Sequence, residues 1–457
     1  MKKFDVIIIG AGPAGIFAGI ELVRAGKNVC ILEKGRSINK RKCLAGEQSV
    51  SCVGCNPCDI MSGWGGAGAF SDGKMTLTTA FGGVLDEYIG KQELQRLIEY
   101  IDNIYVEFGA PDRVFGSEPA EKIRELKRKA TAAELQFLEA RIRHLGTDNC
   151  MKILKRMYDY LEKNSSINCL CAAKEIVVAD NKVVGVRLED GRELYAEYVI
   201  AAPGREGAEW FSKEATKLNL TMTSNAVDIG VRVELPAVVL EDITEVVYES
   251  KLIYHTKTFD DEVRTFCMNP YGAVVTENTN GLITVNGHSY AEKRTDNTNF
   301  ALLVSKKFTE PFKEPIKYGK EVAGLANLIG GGVIVQRLGD LLSGRRSTPE
   351  RIKRGMVTPT LASATPGDLS LVLPYRHLTA IIEMLAAMDK LAPGVNSKHT
   401  LLYGVEVKFY SNRLQLTNKL ETQVSNLFAV GDGAGVTRGL AQASAAGVLV
   451  ATEIISR

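Results

Sequence analysis

Three features of the 457-residue sequence predict an α/β fold. A β-branched run near the start passes through a glycine-rich turn into a segment with helical spacing, and a second unit of this kind stands at the far end of the chain. Short strands separated by turns lie between them, at residues 167–200. Together these features predict a three-layer, Rossmann-like domain that is discontinuous in sequence, with a helical insertion and an α+β cap domain.

The composition is that of a globular protein, with 45% hydrophobic and 24% charged residues. Lysine and arginine number 56 against 54 acids, and the net charge of +2 gives no overall drive toward nucleic acid or an anionic membrane. Nine cysteines, scattered apart from one cluster, favour a reduced protein over a disulfide scaffold. Asp5 and Glu21 argue against a secretion signal at the start, and no other segment approaches the ~20 apolar residues of a bilayer span. We therefore expect a cytoplasmic protein that does not enter the membrane.

The first nucleotide signature begins with a strand at residues 4–9 that leads directly into the turn at residues 10–15 and then into a helix. A second strand, at residues 28–32, ends in Glu33, whose carboxylate is expected to accept both hydroxyls of an adenosine ribose. Three glycines of the turn permit the bend, let the backbone approach a pyrophosphate and allow close packing of helix on strand; they are Gly10, Gly12 and Gly15. The pattern predicts a dinucleotide site.

The second signature lies near the far end of the chain. A strand at residues 426–430 runs into the glycine-rich turn at residues 431–435, and the helix beyond Gly439 is built from small residues, which implies very close packing. Asp432 is placed to hydrogen-bond a sugar-alcohol chain. The positive end of the following helix would stabilise the negative charge of a reduced flavin.

These segments carry a family resemblance. The stretches MKKFDVIIIGAGPAGIFAGIEL, ELYAEYVIAAPGREG and LFAVGDGAGVTRGLAQASAAG resemble the three FAD-contact elements of the two-dinucleotide-binding-fold, glutathione-reductase-like flavoproteins. The middle element departs modestly from the usual Ala-Thr-Gly, since Ala202-Pro203-Gly204 keeps the turn and loses the hydroxyl. More narrowly, SGWGGAGAFSDGK, DIGVRVE, VRTFCMNP and YGVEVKF resemble a family of bacterial FAD-dependent dehydrogenases whose cofactor is better established than their reaction.

The resemblance implies FAD as the cofactor, and it implies that residues 62–74 pass near the pyrophosphate and the isoalloxazine. This second glycine patch also satisfies GxGxxG, but it follows no strand, so it does not predict a second Rossmann unit. The residues expected to bind FAD are Gly10, Gly12, Pro13, Ala14, Gly15, Glu33, Lys34, Gly65, Gly66, Ala67, Gly68, Ser71, Asp72, Ala202, Gly204, Gly431, Asp432, Gly439 and Ala441.

The same signatures set the expected domains. The FAD-binding domain comprises residues 1–83, 164–206 and 401–457; residues 84–163, with mixed charges at helical spacing, form a helical insertion; residues 207–400 form the α+β cap. A substrate is expected at the junction of the FAD-binding domain with the cap. Because the sequence lacks a second full Rossmann unit of the kind that binds NAD(P)H, electrons are expected to arrive by a route other than a dedicated NAD(P)H domain.

A cluster of cysteines precedes the second glycine patch. Cys43, Cys52, Cys55 and Cys58 follow the pattern C-x8-C-x2-C-x2-C, which suits a [4Fe-4S] cluster and an electron relay to the flavin. Structural zinc with the same four ligands, a redox-active thiol pair and thiols without a special role remain open, because spacing alone does not separate them.

Candidates for catalysis are few. Lys74, beside the second glycine patch, is expected near the flavin, and His288 follows a strand of the cap. The sequence therefore predicts a FAD-dependent oxidoreductase for a small organic substrate, with an electron carrier as a further partner. The alternatives are a flavin-dependent RNA-modifying enzyme, suggested by six basic residues between Arg337 and Arg354, and a flavin redox sensor. Acidic residues interleaved with the basic ones argue against a nucleic acid as a partner. The sequence does not indicate an oligomeric state.

Overall fold

The computed structural model describes residues 3–43, 55–71, 73–117, 120–223, 225–279, 281–289, 294–306, 308, 314–409 and 412–457. The chain forms two compact units. Unit 1 comprises residues 1–113, 143–225 and 410–457, and unit 2 comprises residues 114–142 and 226–409.

The described strands and helices are numbered in chain order. The strands are β1 (Lys3–Ile9), β2 (Val29–Glu33), β3 (Lys74–Thr76), β4 (Gln136–Leu138), β5 (Ile142–His144), β6 (Ser166–Cys169), β7 (Ala173–Ala179), β8 (Lys182–Leu188), β9 (Glu193–Ala201), β10 (Met222–Thr223), β11 (Val227–Pro236), β12 (Lys251–His255), β13 (Glu262–Asn269), β14 (Ala273–Thr279), β15 (Leu282–His288), β16 (Asn297–Lys306), β17 (Ile334–Arg337), β18 (Thr365–Pro366), β19 (Leu401–Lys408), β20 (Arg413–Leu414) and β21 (Leu427–Ala429). The α-helices are α1 (Pro13–Arg24), α2 (Asp86–Ile89), α3 (Lys91–Glu107), α4 (Ala120–Ala132), α5 (Thr147–Asn164), α6 (Ala208–Lys217), α7 (Glu241–Val247), α8 (Pro315–Gly330), α9 (Leu338–Leu342), α10 (Pro349–Lys353), α11 (Tyr375–Leu391) and α12 (Leu440–Ser456).

Unit 1 is built on a sheet in the order β6-β2-β1-β9-β8-β7, with β21 also paired to β9. Strands β6, β2, β1, β9 and β21 run parallel, and β7, β8 and β9 form the antiparallel meander predicted from the turns at residues 179–181 and 189–191. Strands β1 and β2 are almost wholly buried, which explains their continuous apolar runs. This sheet confirms the Rossmann-like prediction.

Helices α1 and α12 pack together in unit 1. Their contact is close because small residues face each other: a Cβ added at Gly447 would lie 2.1 Å from the carbonyl oxygen of Ala14. The small-residue run near the end of the chain therefore serves helix–helix packing, and it brings the last helix against the first.

Unit 2 is built on an eight-stranded sheet in the order β18-β17-β19-β11-β16-β13-β12-β4. Strand β11 is central and carries alternating side chains. Ile229, Val231 and Val233 lie in a buried apolar cluster to which helices α8 and α11 contribute. The intervening residues of β11 are Asp228, Gly230, Arg232 and Glu234, so the opposite face of the sheet is polar although it is buried. Strand β15 of the β14–β15 hairpin contacts this sheet.

The unit boundaries fall at different positions from those expected in the sequence. Most of residues 84–163, expected as a helical insertion, lie in unit 1, where α3 contacts α12. Residues 114–142 lie in unit 2, because β4 extends the large sheet by pairing with β12. Pairing of so short a strand, more than 100 residues away in sequence, leaves no periodic signal. In the described part of the chain, no helix combines the length and the apolarity required to cross a membrane.

Candidate functional site

The carboxyl ends of four parallel strands meet at one edge of the unit 1 sheet. The amide of Gly10 donates to the carbonyl of Leu32 at 2.7 Å, and the amide of Ala202 donates to that of Ile9 at 2.8 Å. The amide of Val430 in turn donates to Ala201 at 2.9 Å. The three glycine-rich turns predicted to bind the cofactor therefore lie side by side, at the edge where parallel α/β sheets hold their ligands.

The first turn combines close packing with an open surface. Gly10 has φ +102° and a Cβ there would lie 2.1 Å from the Ala202 carbonyl oxygen, so a side chain is excluded. Helix α1 starts at Pro13 without a side-chain cap, and its N-cap residue Gly12 has no atom within 4 Å of the position of a Cβ. Bare amide groups at the start of a helix beside open space suit an anion such as pyrophosphate.

Glu33 is more constrained than the sequence suggested. Its Oε1 accepts hydrogen bonds from the amides of Gly35 at 2.8 Å and Gly63 at 2.9 Å, and its Oε2 accepts one from Ala11 at 2.9 Å. A carboxylate has about four acceptor directions, so three backbone donors leave room for about one hydroxyl. The carboxylate thus ties three loops together at the site, and the expected bond to both ribose hydroxyls stays a prediction.

Asp432 lies in the turn after β21 with 21% of its side chain exposed. The hydroxyl of Thr437 donates to Asp432 Oδ1 at 2.7 Å, and Arg205 Nε lies 3.7 Å from Oδ2. Burial raises the pKa of Asp432, while Arg205 and Thr437 oppose the shift. The next helix, α12, begins after Gly439 without a side-chain cap, and Ala441 is buried in its first turn. Lys34, at the adjoining turn, forms an ion pair with Glu206, and burial lowers its pKa.

The second glycine patch packs directly on the first turn. The amide of Gly65 donates to the carbonyl of Ala11 at 2.7 Å, and a Cβ at Gly66 would lie 3.3 Å from the Cα of Gly12. Gly66, Ala67 and Gly68 are partly exposed, which leaves their backbone open to a ligand. The Ser71 hydroxyl donates to the Gly68 carbonyl at 2.8 Å, and Asp72 lies outside the described residues.

Arg41 was not identified from the sequence, yet it organises this patch. The side chain is 4% exposed, and its guanidinium donates to the carbonyls of Asp59, Ile60, Trp64 and Gly66 at 2.6–2.9 Å. Burial lowers the pKa of Arg41 to about 10, although Glu33 and Asp59 oppose the shift. Its partners are backbone atoms 18 to 25 positions away, so no side-chain pattern could have revealed the role.

The two predicted catalytic residues lie in different units. Lys74 is the first residue of β3 in unit 1. His288 is the last residue of β15 in unit 2, opposite Ala273 of β14 in the antiparallel pair. Both side chains are half-buried. Their catalytic roles stay predictions.

The cysteine cluster is described in part. Cys43 and Cys58 are half-buried thiols and Cys55 is an exposed one, whereas Cys52 lies outside the described residues. Among the residues that are described, no group of three or more His, Cys, Asp or Glu side chains is placed to hold a metal. The four-ligand centre is untested, because one of its four cysteines is outside the described ranges.

The polar face of unit 2 contains a network of buried charges centred on Arg232. Its guanidinium bonds both carboxylate oxygens of Glu406 at 2.8 Å, and it also donates to the Cys267 carbonyl, to Asn299 and to Asn286. These bonds use all five N–H donors, so Arg232 has none left for an anionic substrate. Three more cations, Lys251, Arg264 and Lys408, surround the ring of Phe266 at 4.6, 5.2 and 5.9 Å.

Each of these cations lies beside an acid. Lys251 pairs with Glu249 and Arg264 pairs with Asp228. Lys408 Nζ lies 3.0 Å from Glu406 and 3.9 Å from Glu277. With the Arg232–Glu406 pair, four cations face four acids, so the cluster has no net charge with which to select an anion.

The basic segment considered for RNA is folded around a buried carboxylate. Asp340 is 1% exposed; Arg345 Nε lies 2.9 Å from it and Arg351 Nη1 lies 3.7 Å from it. Arg337 instead donates to the Arg351 carbonyl at 3.0 Å. At least two of the six basic side chains are therefore compensated within unit 2, which reduces the positive charge offered to a nucleic acid.

The residues at the sheet edge of unit 1 fit FAD. Positions for a Cβ at Gly12, Gly68 and Gly204 have no atom within 4 Å, which is the open surface that a closely held pyrophosphate requires. Two uncapped helix starts, at α1 and α12, supply amide donors, and the partly exposed Asp432 supplies an acceptor for a sugar-alcohol chain. The arrangement is that of a dinucleotide-binding flavoprotein.

Comparison with known proteins agrees with this class. Residues 3–42 match the family described as "FAD binding domain", and residues 226–409 match "FAD-dependent protein, C-terminal domain-like". Both matches are to FAD-dependent proteins: the start of unit 1 matches their FAD-binding domain, and unit 2 matches their C-terminal domain.

Similar full-length proteins are distant. A Clostridium beijerinckii protein described as uncharacterized is 27% identical over 479 aligned residues, covering 100% of this chain and 81% of the relative. Glycine oxidase from Bacillus cereus has a TM-score of 0.39 at 13% identity, with 99% of this chain and 94% of that one covered. The 3-ketosteroid-Δ4-(5α)-dehydrogenase from Rhodococcus jostii has a TM-score of 0.45 at 14% identity, with coverages of 100% and 97%.

Proposed function

We propose that this protein is a FAD-dependent oxidoreductase, that it acts on a small organic substrate that is uncharged or carries both signs of charge, and that unit 2 supplies the groups that recognise it. FAD, once bound, supplies the redox chemistry. The observation that carries the proposal is the charge-balanced cluster around Phe266 on the polar face of the unit 2 sheet, in which Arg264, Phe266 and Asn286 are partly exposed. Paired charges and amide groups on such a face can fix the orientation of a ligand without requiring a net charge on it.

The residues of this face are suited to orienting a substrate rather than to reacting with it. Arg232 is saturated by hydrogen bonds and buried, so its role is to hold Glu406 and the backbone at Cys267 in place. Arg264 and Asn286, by contrast, are partly exposed, so a ligand can reach their side chains. His288, at the end of β15, is proposed as a group that moves a proton, as expected from the sequence.

The electron partner is proposed to be a diffusible carrier. In the described part of the chain, one sheet of dinucleotide-binding type is present, and it holds the FAD-contact elements. The predicted relay through Cys43, Cys52, Cys55 and Cys58 rests on their spacing alone, and the thiols described in the structure leave both iron-sulfur and zinc to be tested. Free thiols at all the described cysteines support a cytoplasmic location.

The first experiment is anaerobic purification followed by an absorption spectrum and by iron, zinc and sulfide analysis. We expect flavin bands equivalent to one FAD per chain, and iron with sulfide if the cysteine centre is a cluster. The second experiment adds candidate substrates, neutral, zwitterionic, anionic and cationic, and follows bleaching of the flavin band and turnover with a dye acceptor. Selective reduction by anionic substrates, with no response to the neutral or zwitterionic ones, would contradict the proposed substrate class while leaving the flavoprotein assignment intact.

A further inference from the structure

The loop that runs from Asp59 to Gly66 contacts two parts of the FAD site at once. The amide of Gly63 donates to Glu33 Oε1, and the amide of Gly65 donates to the carbonyl of Ala11. Trp64 lies between them, wholly buried, with its indole N–H donating to the Leu154 carbonyl at 3.0 Å. The position of this loop therefore decides how Glu33 and the first glycine turn are presented to FAD.

The end of this loop is rich in glycine and has little conformational stability of its own. Glycines at 63, 65 and 66 have φ of +115°, +87° and +60°, and such backbone loses more conformational freedom on ordering than any other. Something must compensate for that loss. The described structure shows one group that bonds to both ends of the loop.

That group is the guanidinium of Arg41. Its Nε and Nη2 donate to the carbonyls of Asp59 and Ile60 at 2.9 Å each, at the start of the loop. Its Nη1 donates to Trp64 at 2.6 Å and to Gly66 at 2.8 Å, at the end of the loop. A planar fork of N–H donors can bond four carbonyls at once, which a lysine ammonium on a flexible stem cannot reproduce.

The contact is also steric. A Cβ at Gly63 would lie 2.7 Å from Arg41 Cδ, so the loop lies flat against the arginine stem. The guanidinium further lies 5.0 Å from the centre of the Phe70 ring, which adds a cation–π contact just beyond the loop.

We propose that Arg41 is the positioning residue of the FAD site: by bonding four backbone carbonyls it holds the Asp59–Gly66 loop against Glu33 and the first glycine turn. Arg41 acts through the loop and needs no contact with the cofactor itself. This assignment rests on FAD binding alone and is independent of the substrate proposed above.

The test uses the whole chain, freed of FAD, and two variants, Arg41→Met and Arg41→Lys. We expect both to bind FAD at least tenfold more weakly in a fluorescence titration, since neither side chain can bond four carbonyls. Arg143→Met is the matched control. Arg143 is also a buried arginine of unit 1, but it bonds Asp102 at 2.7 Å and the Pro111 carbonyl at 2.5 Å, so its loss should lower the melting temperature and leave FAD affinity unchanged.

Trp64 gives a readout of the loop without FAD. The chain contains two tryptophans, so Trp210→Phe leaves Trp64 as the single emitter. In that background Arg41→Met should shift the emission to longer wavelength because the buried indole becomes exposed to water, and Arg143→Met should not. In the wild type, FAD should slow hydrogen exchange at the amides of Gly63 and Gly65, a measurement that needs no variant.

Three results would overturn the assignment. If Arg41→Lys binds FAD like the wild type, positive charge suffices and the carbonyl bonds do not matter. If Arg143→Met weakens FAD binding as much as Arg41→Met, the effect is general destabilisation. If FAD leaves hydrogen exchange of the loop unchanged in the wild type, the loop is not part of the cofactor site.

Discussion

At the scale of single residues, the FAD site depends on which glycines face the protein and which face open space. Gly10 is enclosed, with Ala202 2.1 Å from the position of a Cβ, whereas Gly12 has nothing within 4 Å. In the sequence motif G-x-G-x-x-G, Gly10 and Gly12 look equivalent. The structure separates them: the fold itself excludes a side chain at Gly10, whereas at Gly12 we expect the ligand to exclude one.

A methyl group at Gly12 should therefore leave the fold intact and obstruct FAD. We expect Gly12→Ala to weaken FAD binding by at least about tenfold, or ~1.4 kcal/mol, with little change in the melting temperature of the FAD-free protein. The same substitution at Gly324 in α8, also with no atom within 4 Å of a Cβ, is the control: it should leave FAD affinity unchanged and raise the melting temperature slightly, because alanine favours a helix over glycine. A Gly12→Ala protein that melts early before any FAD is added would contradict this division of roles.

His377 should make the stability of the protein sensitive to acid. It is 3% exposed, neither ring nitrogen has a hydrogen-bond partner, and burial lowers its pKa to about 4, with Lys306 adding to the shift and Asp261 opposing it. Because the folded pKa lies below the unfolded value of about 6.5, stability is complete above that value and falls as the pH drops toward 4.

Replacing His377 by leucine removes this titration. Between pH 7 and pH 5 the wild type should lose about 2 kcal/mol of unfolding free energy that His377→Leu retains. Urea unfolding at both pH values measures the difference. Arg376, which bonds Asp261 at 2.6 Å and 2.8 Å, also contributes to the lowered pKa of His377, so Arg376→Met should reduce the acid sensitivity without abolishing it. Equal losses in wild type and His377→Leu would show that the imidazole is not the group responsible.

At the scale of elements, the sequence correctly predicted the strands and helices that are specified by hydrophobic periodicity and by turn residues. The strand–turn–helix units around Gly10 and Gly431 and the meander over residues 167–200 are present as predicted, because each is specified by neighbouring residues. The three-residue pairing of β4 with β12 and the carbonyl bonds of Arg41 were missed. Both depend on tertiary contacts between distant segments, for which local periodicity holds no information.

Strands β11 and β19 are joined by the buried pair of Arg232 and Glu406, both 0% exposed. Removing one partner leaves a buried charge with incomplete compensation, so Arg232→Met and Glu406→Leu should each destabilise unit 2 by about 3–5 kcal/mol. The double variant should be less destabilised than the sum by about 2 kcal/mol, since no isolated charge of the pair remains. A double-mutant cycle by denaturant unfolding measures this coupling; strictly additive effects would mean that the two side chains act independently.

At the scale of the whole molecule, the two units have separate sheets and different tasks. The residues expected to bind FAD, as far as the structure describes them, all belong to unit 1, and the buried charge network belongs to unit 2. A ligand stabilises the unit that binds it, by about 2.7 kcal/mol when present at a hundredfold excess over its dissociation constant.

Calorimetry should therefore resolve two effects. FAD is expected to raise the unfolding transition of unit 1, and Arg232→Met is expected to lower that of unit 2. Arg143→Met, with its partners in unit 1, should lower the transition that FAD raises. The division of tasks would be refuted by a scan in which FAD raises the same transition that Arg232→Met lowers.

The packing of α12 on α1 has a consequence for biosynthesis. Gly447 lies against Ala14, so the first glycine turn acquires its full surroundings when a segment more than 400 positions later has been translated. A nascent chain on the ribosome carries α1 long before its partner exists, while unit 2 can begin to collapse in between. We therefore expect stable loading of the cofactor to follow synthesis of α12, since until then the first strand–turn–helix unit lacks its packing partner.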